Sequence, residues 1–135
     1  MSTFHLEIVT PTKVIDKGEV SYVRCPGSDG QFGVMARHTN AMFALSAGEI
    51  KVVSEKETSY LATRGGFAEV TGDEVKILVE TAEHAAEIDL DRVQKALGRA
   101  KQRVAEKGPD MDLARAEMSI KRALTRLRVA KRHQV

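Results

Sequence analysis

The stretch Glu80-Thr81-Ala82-Glu83-His84-Ala85-Ala86-Glu87-Ile88-Asp89-Leu90-Asp91-Arg92-Val93-Gln94-Lys95-Ala96-Leu97 marks where one kind of polypeptide gives way to another. Before it, apolar residues come in short alternating strings; after it, they recur at intervals of three and four. Every aromatic residue (Phe4, Tyr22, Phe32, Phe43, Tyr60, Phe67) lies upstream, together with nearly all the glycines. Charge divides at the same place. Residues 1–87 hold 8 Lys/Arg against 13 Asp/Glu, and residues 88–135 hold 13 against 6. The overall net charge of +2 hides an acidic strand-like part, 1–87, joined to a basic helical part, 88–135. Two parts of opposite charge imply two kinds of partner.

Working upstream, Phe4, Leu6 and Ile8 alternate with His5 and Glu7, the period of a half-buried strand. Val14-Ile15, Val20 to Cys25, Gln31 to Met35, Met42 to Leu45, Glu49 to Ser54, Ser59 to Thr63, Phe67 to Val70 and Val75 to Val79 follow at short intervals. Between them stand Pro11-Thr12, Pro26-Gly27-Ser28-Asp29-Gly30, Gly65-Gly66 and Gly72-Asp73, all turn chemistry. Many short strands so punctuated predict an antiparallel β-sandwich or barrel.

Downstream, Leu90, Val93, Leu97, Ala100 and Val104 form one helical stripe. Gly108-Pro109 is expected to end that helix, and Asp110 or Asp112 to cap the next. Leu113, Ala116, Ile120, Ala123 or Leu124, and Leu127 repeat the stripe. The short connection predicts an antiparallel two-helix hairpin with a small-residue seam, which buries little area and is able to come apart. The fold class is therefore α+β.

Composition excludes several functions. Cys25 is the lone cysteine, so no disulfide framework exists; its thiol is either a reactive group or a small buried hydrophobe. The four histidines, His5, His38, His84 and His133, lack metal-ligand spacing. Neither Gly65-Gly66 nor Gly27-x-x-Gly30 has the setting of a phosphate loop. No run approaches the roughly 20 apolar residues of a membrane span, so membrane insertion is not expected. No catalytic constellation stands out, and the chain is not expected to be an enzyme.

The downstream arginines carry the remaining signal. Arg92 and Arg99 share one helix face, and Arg122 and Arg126 share another. An anion between such pairs would turn repulsion into attraction, and guanidinium forks suit phosphate. Asp89 and Glu83 offer acceptors close by in sequence. Spacing alone favours a solvated basic face, or one that docks acidic protein, over an anion site.

Over essentially its whole length the chain resembles the epsilon subunit of bacterial and chloroplast-type ATP synthases. The resemblance rests on Pro26-Gly27-Ser28-Asp29-Gly30-Gln31-Phe32-Gly33-Val34-Met35 followed by His38, and on the Ala- and Arg-rich ending from Asp112 to Leu127 with Arg122-Ala123. It implies a small β-sandwich followed by a helical hairpin, within a rotary motor's central stalk. The family's sandwich binds the gamma subunit and sits against the c-subunit ring. The ring-facing loop maps to Asp29, Gln31 and His38, and Gln31 stands where many relatives have an acid. The family's place is peripheral, on the cytoplasmic face of the bacterial plasma membrane in a proton-translocating complex.

Some bacterial members bind ATP in the hairpin without hydrolysing it, through Ile or Leu, Asp, two variable residues, Arg and Ala. Ile88-Asp89-Leu90-Asp91-Arg92-Val93 is similar, with Val93 replacing Ala. Glu83, Arg99, Arg122 and Arg126 match the other positions of that site. By resemblance, Glu83, Ile88 and Asp89 face the adenine and the arginines face ribose and phosphates, while the two extra methyl carbons of Val93 crowd the base. The implied mechanism is a hairpin that ATP holds compact and that, when extended, sets its basic faces against acidic segments of the alpha and beta subunits and inhibits hydrolysis. No prosthetic group is implied; ATP is a regulatory ligand. Two alternatives stay open: a static assembly subunit, and a basic nucleic-acid-binding module, against which stands the absence of any aromatic residue after Phe67 for stacking.

Overall fold

The computed structural model describes residues 2–106, 108 and 112–134. Ten strands come first: β1 Phe4–Val9, β2 Val14–Val20, β3 Tyr22–Gly27, β4 Gly30–Met35, β5 Ala41–Leu45, β6 Gly48–Val53, β7 Thr58–Thr63, β8 Gly66–Thr71, β9 Glu74–Val79 and β10 Ala82–His84. A single 3₁₀ turn over Ala85–Glu87 leads into α1 Leu90–Ala105, and α2 Leu113–His133 follows. The α+β class stands, with a β-sandwich first and two helices last.

One layer runs β10-β7-β6-β3 with β4 on the far side of β3; the other runs β5-β8-β9-β1-β2. A single pairing, Gly27 with Leu45, joins them. Alternation sends Phe4, Leu6, Ile8, Ala68, Val70, Val75 and Ile77 inward from one layer to meet Val23, Cys25, Val34, Ile50, Val52 and Leu61 from the other. Burial pushes the Cys25 thiol up to about 12, so it behaves as the small hydrophobe rather than the nucleophile. Described pairings are antiparallel except β1 with β9, which run parallel. Turn signals reveal only hairpins, so a pairing between the first and ninth strands leaves no local trace.

Gly65 and Gly66 carry the chain from the first layer to the second, with φ of 110° and 153°. A Cβ on Gly66 would stand 2.1 Å from the Leu78 carbonyl oxygen. This corner requires glycine for both backbone sign and space.

Each helix begins on an aspartate. The Asp89 carboxylate accepts from the Arg92 amide at 3.1 Å, and Asp112 from the Arg115 amide at 3.0 Å. Of the two caps expected for α2, Asp112 serves; Asp110 and Pro109 lie outside the described residues. α1 stops at Ala105, ahead of Gly108. The α1 stripe buries Val93, Leu97 and Ala100. On α2 the seam takes Ala123 rather than Leu124, Leu113 stays exposed, and burial extends past Leu127 to Val129 and Ala130. The reason is that α2 packs on more than α1.

Candidate functional site

Among the described residues there are two separate apolar clusters, and the second decides how the helices sit. It gathers Ala62 of the sandwich, Ala85 and Ile88 of the link, Val93 and Leu97 of α1, and Ala123, Val129 and Ala130 of α2, with Tyr60, Leu90, Ile120 and Leu127 packed against it. The hairpin therefore docks on the β6–β7–β10 edge of the first layer, over a core of small side chains that is distinct from the sandwich interior. Small side chains bury modest area, at about 25 cal/mol per Å².

Polar contacts ring this seam. Arg126 grips Glu83 through a fork, Nε to Oε1 at 2.8 Å and Nη2 to Oε2 at 2.9 Å. Glu83 sits on β10, so this pair ties α2 to the sandwich edge. At the other end of α2, the His133 ring stacks on Tyr60, centroids 3.5 Å apart and planes 6° from parallel. His133 Nε2 also meets the Glu49 carboxylate, whose side chain is only 8% exposed and which accepts from Arg24 Nη2 at 2.9 Å. The Gln134 amide donates to the carbonyls of Ala85 and Ile88 at 2.8 and 2.7 Å. Nearby, Lys17 Nζ lies 2.7 Å from His84 Nε2. Burial, reinforced by the Lys17 ammonium, holds His84 below the ordinary imidazole range, and burial likewise lowers Lys17.

Between α2 and the sandwich lies a cleft of about 410 Å³, lined on the helix side by Arg122, Thr125 and Arg126 and at the β10 edge by Glu83. That volume falls in the range of small-molecule sites, about 300–1,000 Å³. Three of the nucleotide-site residues expected from the sequence thus meet at one place: Glu83, Arg122 and Arg126. The other five do not line it. Ile88 and Val93 are buried in the seam, Val93 at 0% exposure, so its bulk bears on helix packing. Asp89 is committed to capping α1, and Arg92 and Arg99 are exposed on α1.

The expected ring-facing residues occupy two connections. Asp29 lies in the β3–β4 turn and Gln31 beside it at the start of β4, both exposed; His38 lies in the β4–β5 connection. The His38 ring lies edge-on to Phe43 at 6.2 Å, and Phe43 stacks on Phe32 at 4.3 Å. A second surface was not anticipated. Ala44, Phe67, Leu78, Val9 and Val14 fall in one continuous cross-strand row through β5, β8, β9, β1 and β2. They face outward, with Phe67 52% and Val14 60% exposed. Register across five strands creates the row, and no linear stretch announces it. Nor did anything in the sequence single out Glu49, Tyr60 or the terminal His133-Gln134 pair, because their meeting is long-range. No helix of the described residues is long and apolar enough to cross a membrane.

Comparison with known proteins agrees with this architecture. Residues 3–85 match the model of the ATP synthase Delta/Epsilon chain beta-sandwich domain, and residues 86–131 that of the ATP synthase Delta/Epsilon chain long alpha-helix domain. The chain is 43% identical over 127 residues to an ATP synthase epsilon chain of Nitratidesulfovibrio vulgaris (strain DP4), covering 94% of this chain and 95% of the relative. It is 40% identical over 131 residues to the ATP synthase epsilon chain of Staphylococcus aureus (strain JH9), covering 96% and 98%. Among solved structures it is similar to a chain of the Euglena gracilis mitochondrial ATP synthase, OSCP/F1/c-ring in rotational state 1, with TM-score 0.77, 25% identity and coverage of 98% and 83%. A chain of the Tetrahymena thermophila mitochondrial ATP synthase central stalk/c-ring, at TM-score 0.59, 15% identity and coverage of 97% and 96%, shares the fold. A strand-built sandwich carrying a basic two-helix hairpin, matched along nearly its full length, belongs to the ATP synthase delta/epsilon chain family as an epsilon-type chain.

Proposed function

We propose that this chain is a non-catalytic subunit of the central stalk of a proton-translocating ATP synthase, peripheral on the cytoplasmic face of the membrane. It joins gamma to the c-subunit ring and restrains ATP hydrolysis through a hairpin that ATP holds docked. The observation that carries this reading is the seam. The hairpin rests on a small core of its own, closed by ion pairs and a terminal stack, while the sandwich core is complete without it. Such an element detaches without unfolding its support.

Each surface has a role in this reading. The apolar row from Ala44 to Val14 suits gamma, because an exposed contiguous apolar strip marks a protein contact. Asp29, Gln31 and His38, around the Phe32–Phe43 stack, face the c ring. The basic helices, once extended, meet acidic segments of the alpha and beta subunits, a contact that salt weakens. ATP engages Arg122, Arg126 and Glu83 at the cleft, with Arg92, Arg99 and Asp89 of α1 drawn in by rearrangement. A ligand shifts the docked–extended balance only through its different affinity for the two states. At 100 times its dissociation constant, a ligand of the docked form alone stabilises it by about 2.7 kcal/mol.

Two measurements test this. Deleting residues 88–135 raises ATP hydrolysis by the assembled complex; unchanged hydrolysis refutes the brake. Calorimetric titration with ATP gives saturable heat that Arg126→Ala diminishes, and absence of heat at millimolar ATP refutes the nucleotide part alone.

A further inference from the structure

The cleft has a second wall, and that wall is also basic. Lys13 closes the β1–β2 connection and Arg64 opens the connection after β7, and both line the cleft together with Arg122 and Arg126 of α2. Neither sandwich residue resembles part of a nucleotide motif in the sequence. Both backbones are held in place. The Thr10 amide donates to the Lys13 carbonyl at 2.9 Å, and buried Thr10 accepts through Oγ1 from the Lys13 amide at 3.2 Å. The Arg64 amide donates to Thr81 Oγ1, on the β9–β10 connection, at 3.2 Å.

The charge balance calls for an anion. Glu83 is satisfied by the Arg126 fork. Among the described residues, Lys13, Arg64 and Arg122 form no ion pair, and Glu80 is the other acid lining the cleft. Docking α2 therefore gathers like charge around one cavity. Thr63 and Thr81, whose Oγ1 atoms accept from backbone amides, add O–H donors to the lining. A guanidinium fork on each side and an ammonium suit phosphate oxygens.

The geometry points to a polyphosphate site that bridges the two walls: Lys13 and Arg64 of the sandwich take phosphates on one side and Arg122 on the other, with Arg126 offering only the N–H groups that its fork to Glu83 leaves free. This deepens the ATP reading by placing the nucleotide's phosphate tail between sandwich and α2 rather than along the outer face of α1. It also supplies the linkage, since an anion held by both walls binds only while the hairpin is docked. Inorganic phosphate brings less charge and fewer oxygens to these cations than a polyphosphate does, so chain length matters.

The test uses the full chain with ATP, tripolyphosphate and inorganic phosphate as separate probes, read by calorimetry and by hydrogen exchange in α2. Expected are binding of ATP and tripolyphosphate, with inorganic phosphate at least about tenfold weaker, and slower α2 exchange on binding. Lys13→Ala with Arg64→Ala lowers affinity for both polyphosphates at least about tenfold, the scale of one charge-assisted hydrogen bond. Arg128→Ala, an exposed cation on α2 outside the cleft, changes it less than about twofold, as screened surface charge does. If ATP binds the double variant as tightly as the parent chain, the bridging site is overturned while the ATP reading stands. If tripolyphosphate binds and depends on Lys13 and Arg64 while ATP does not bind, the site stands and the nucleotide reading falls. If neither binds, both fall.

Discussion

Replacing His133 with alanine probes the docked hairpin at the end of its longest helix. The side chain does two things in the structure: it lies flat on Tyr60 at 3.5 Å, and its Nε2 meets a Glu49 carboxylate that is 8% exposed. Stacking of this kind contributes about 0.5–1.5 kcal/mol, and a hydrogen bond to a buried charged group about 1.5–3 kcal/mol. Arg24 remains on Glu49, so the carboxylate is not left bare. Together the loss is about 2–4.5 kcal/mol against local opening of the last turns of α2, where contributions need not add. Even the lower bound multiplies the open population by roughly 30, since about 1.4 kcal/mol is tenfold. Amide hydrogen exchange resolves this by element. The turns of α2 around Val129 are expected to exchange faster by about that factor, while β1, β9 and the sandwich core keep their rates. Tyr60→Phe, which keeps the stack, is expected to leave exchange near the parent value. Unchanged exchange around Val129 in His133→Ala would refute the claim that the terminal stack holds the hairpin down.

Other expectations follow from single environments. Val93→Ala opens a void in the seam, since Val93 is wholly buried there; the hairpin should lose about 2 kcal/mol, seen as earlier loss of helical signal on heating, with the sandwich transition unmoved. Asp89→Ala removes the acceptor for the Arg92 amide and should cost about 1 kcal/mol, again confined to the helical transition. His84 is held neutral by burial and by Lys17, so the unfolded chain takes up its proton first as pH falls through about 6.5. Stability is therefore expected to drop on acidification through that window. His84→Gln, which keeps an acceptor for Lys17, should flatten that part of the urea-midpoint profile, and an unaltered profile would contradict the assignment. The Cys25 thiol, buried and raised to about 12, should resist thiol reagents near neutral pH until the sandwich unfolds; rapid labelling of the folded chain would contradict its packing.

Much of the fold was legible in local pattern. Alternation in Phe4–Ile8 and Val75–Val79 and turn chemistry at Gly65-Gly66 and Gly72-Asp73 mark strands and their ends through short-range sterics. The stripe Leu90, Val93, Leu97, Ala100 marks a helix for the same kind of reason. β10, three residues long, escaped because its strand character comes from pairing with β7, not from its own composition. Leu124 and Leu113 stayed outside the seam while Val129 and Ala130 entered it, because α2 packs on Ala62 and Tyr60 as well as on α1. Of the candidate nucleotide residues, Glu83, Arg122 and Arg126 converge, whereas Ile88, Asp89 and Val93 serve packing and capping in the docked form.

By itself, then, the chain's order of residues determined element type, an aspartate cap for the second helix, the turn at Gly65-Gly66 and the split into an acidic strand part and a basic helical part. Each of these depends on interactions within a few residues, where backbone sterics, hydrophobic period and charge can be read directly. Only the tertiary structure decided the parallel β1–β9 pairing, the apolar row from Ala44 to Val14, the Glu49–His133–Tyr60 closure and the meeting of Lys13 and Arg64 with Arg122 and Arg126. Those depend on contacts between segments tens of residues apart, brought together by sheet register and by the docking of α2, which no local periodicity encodes.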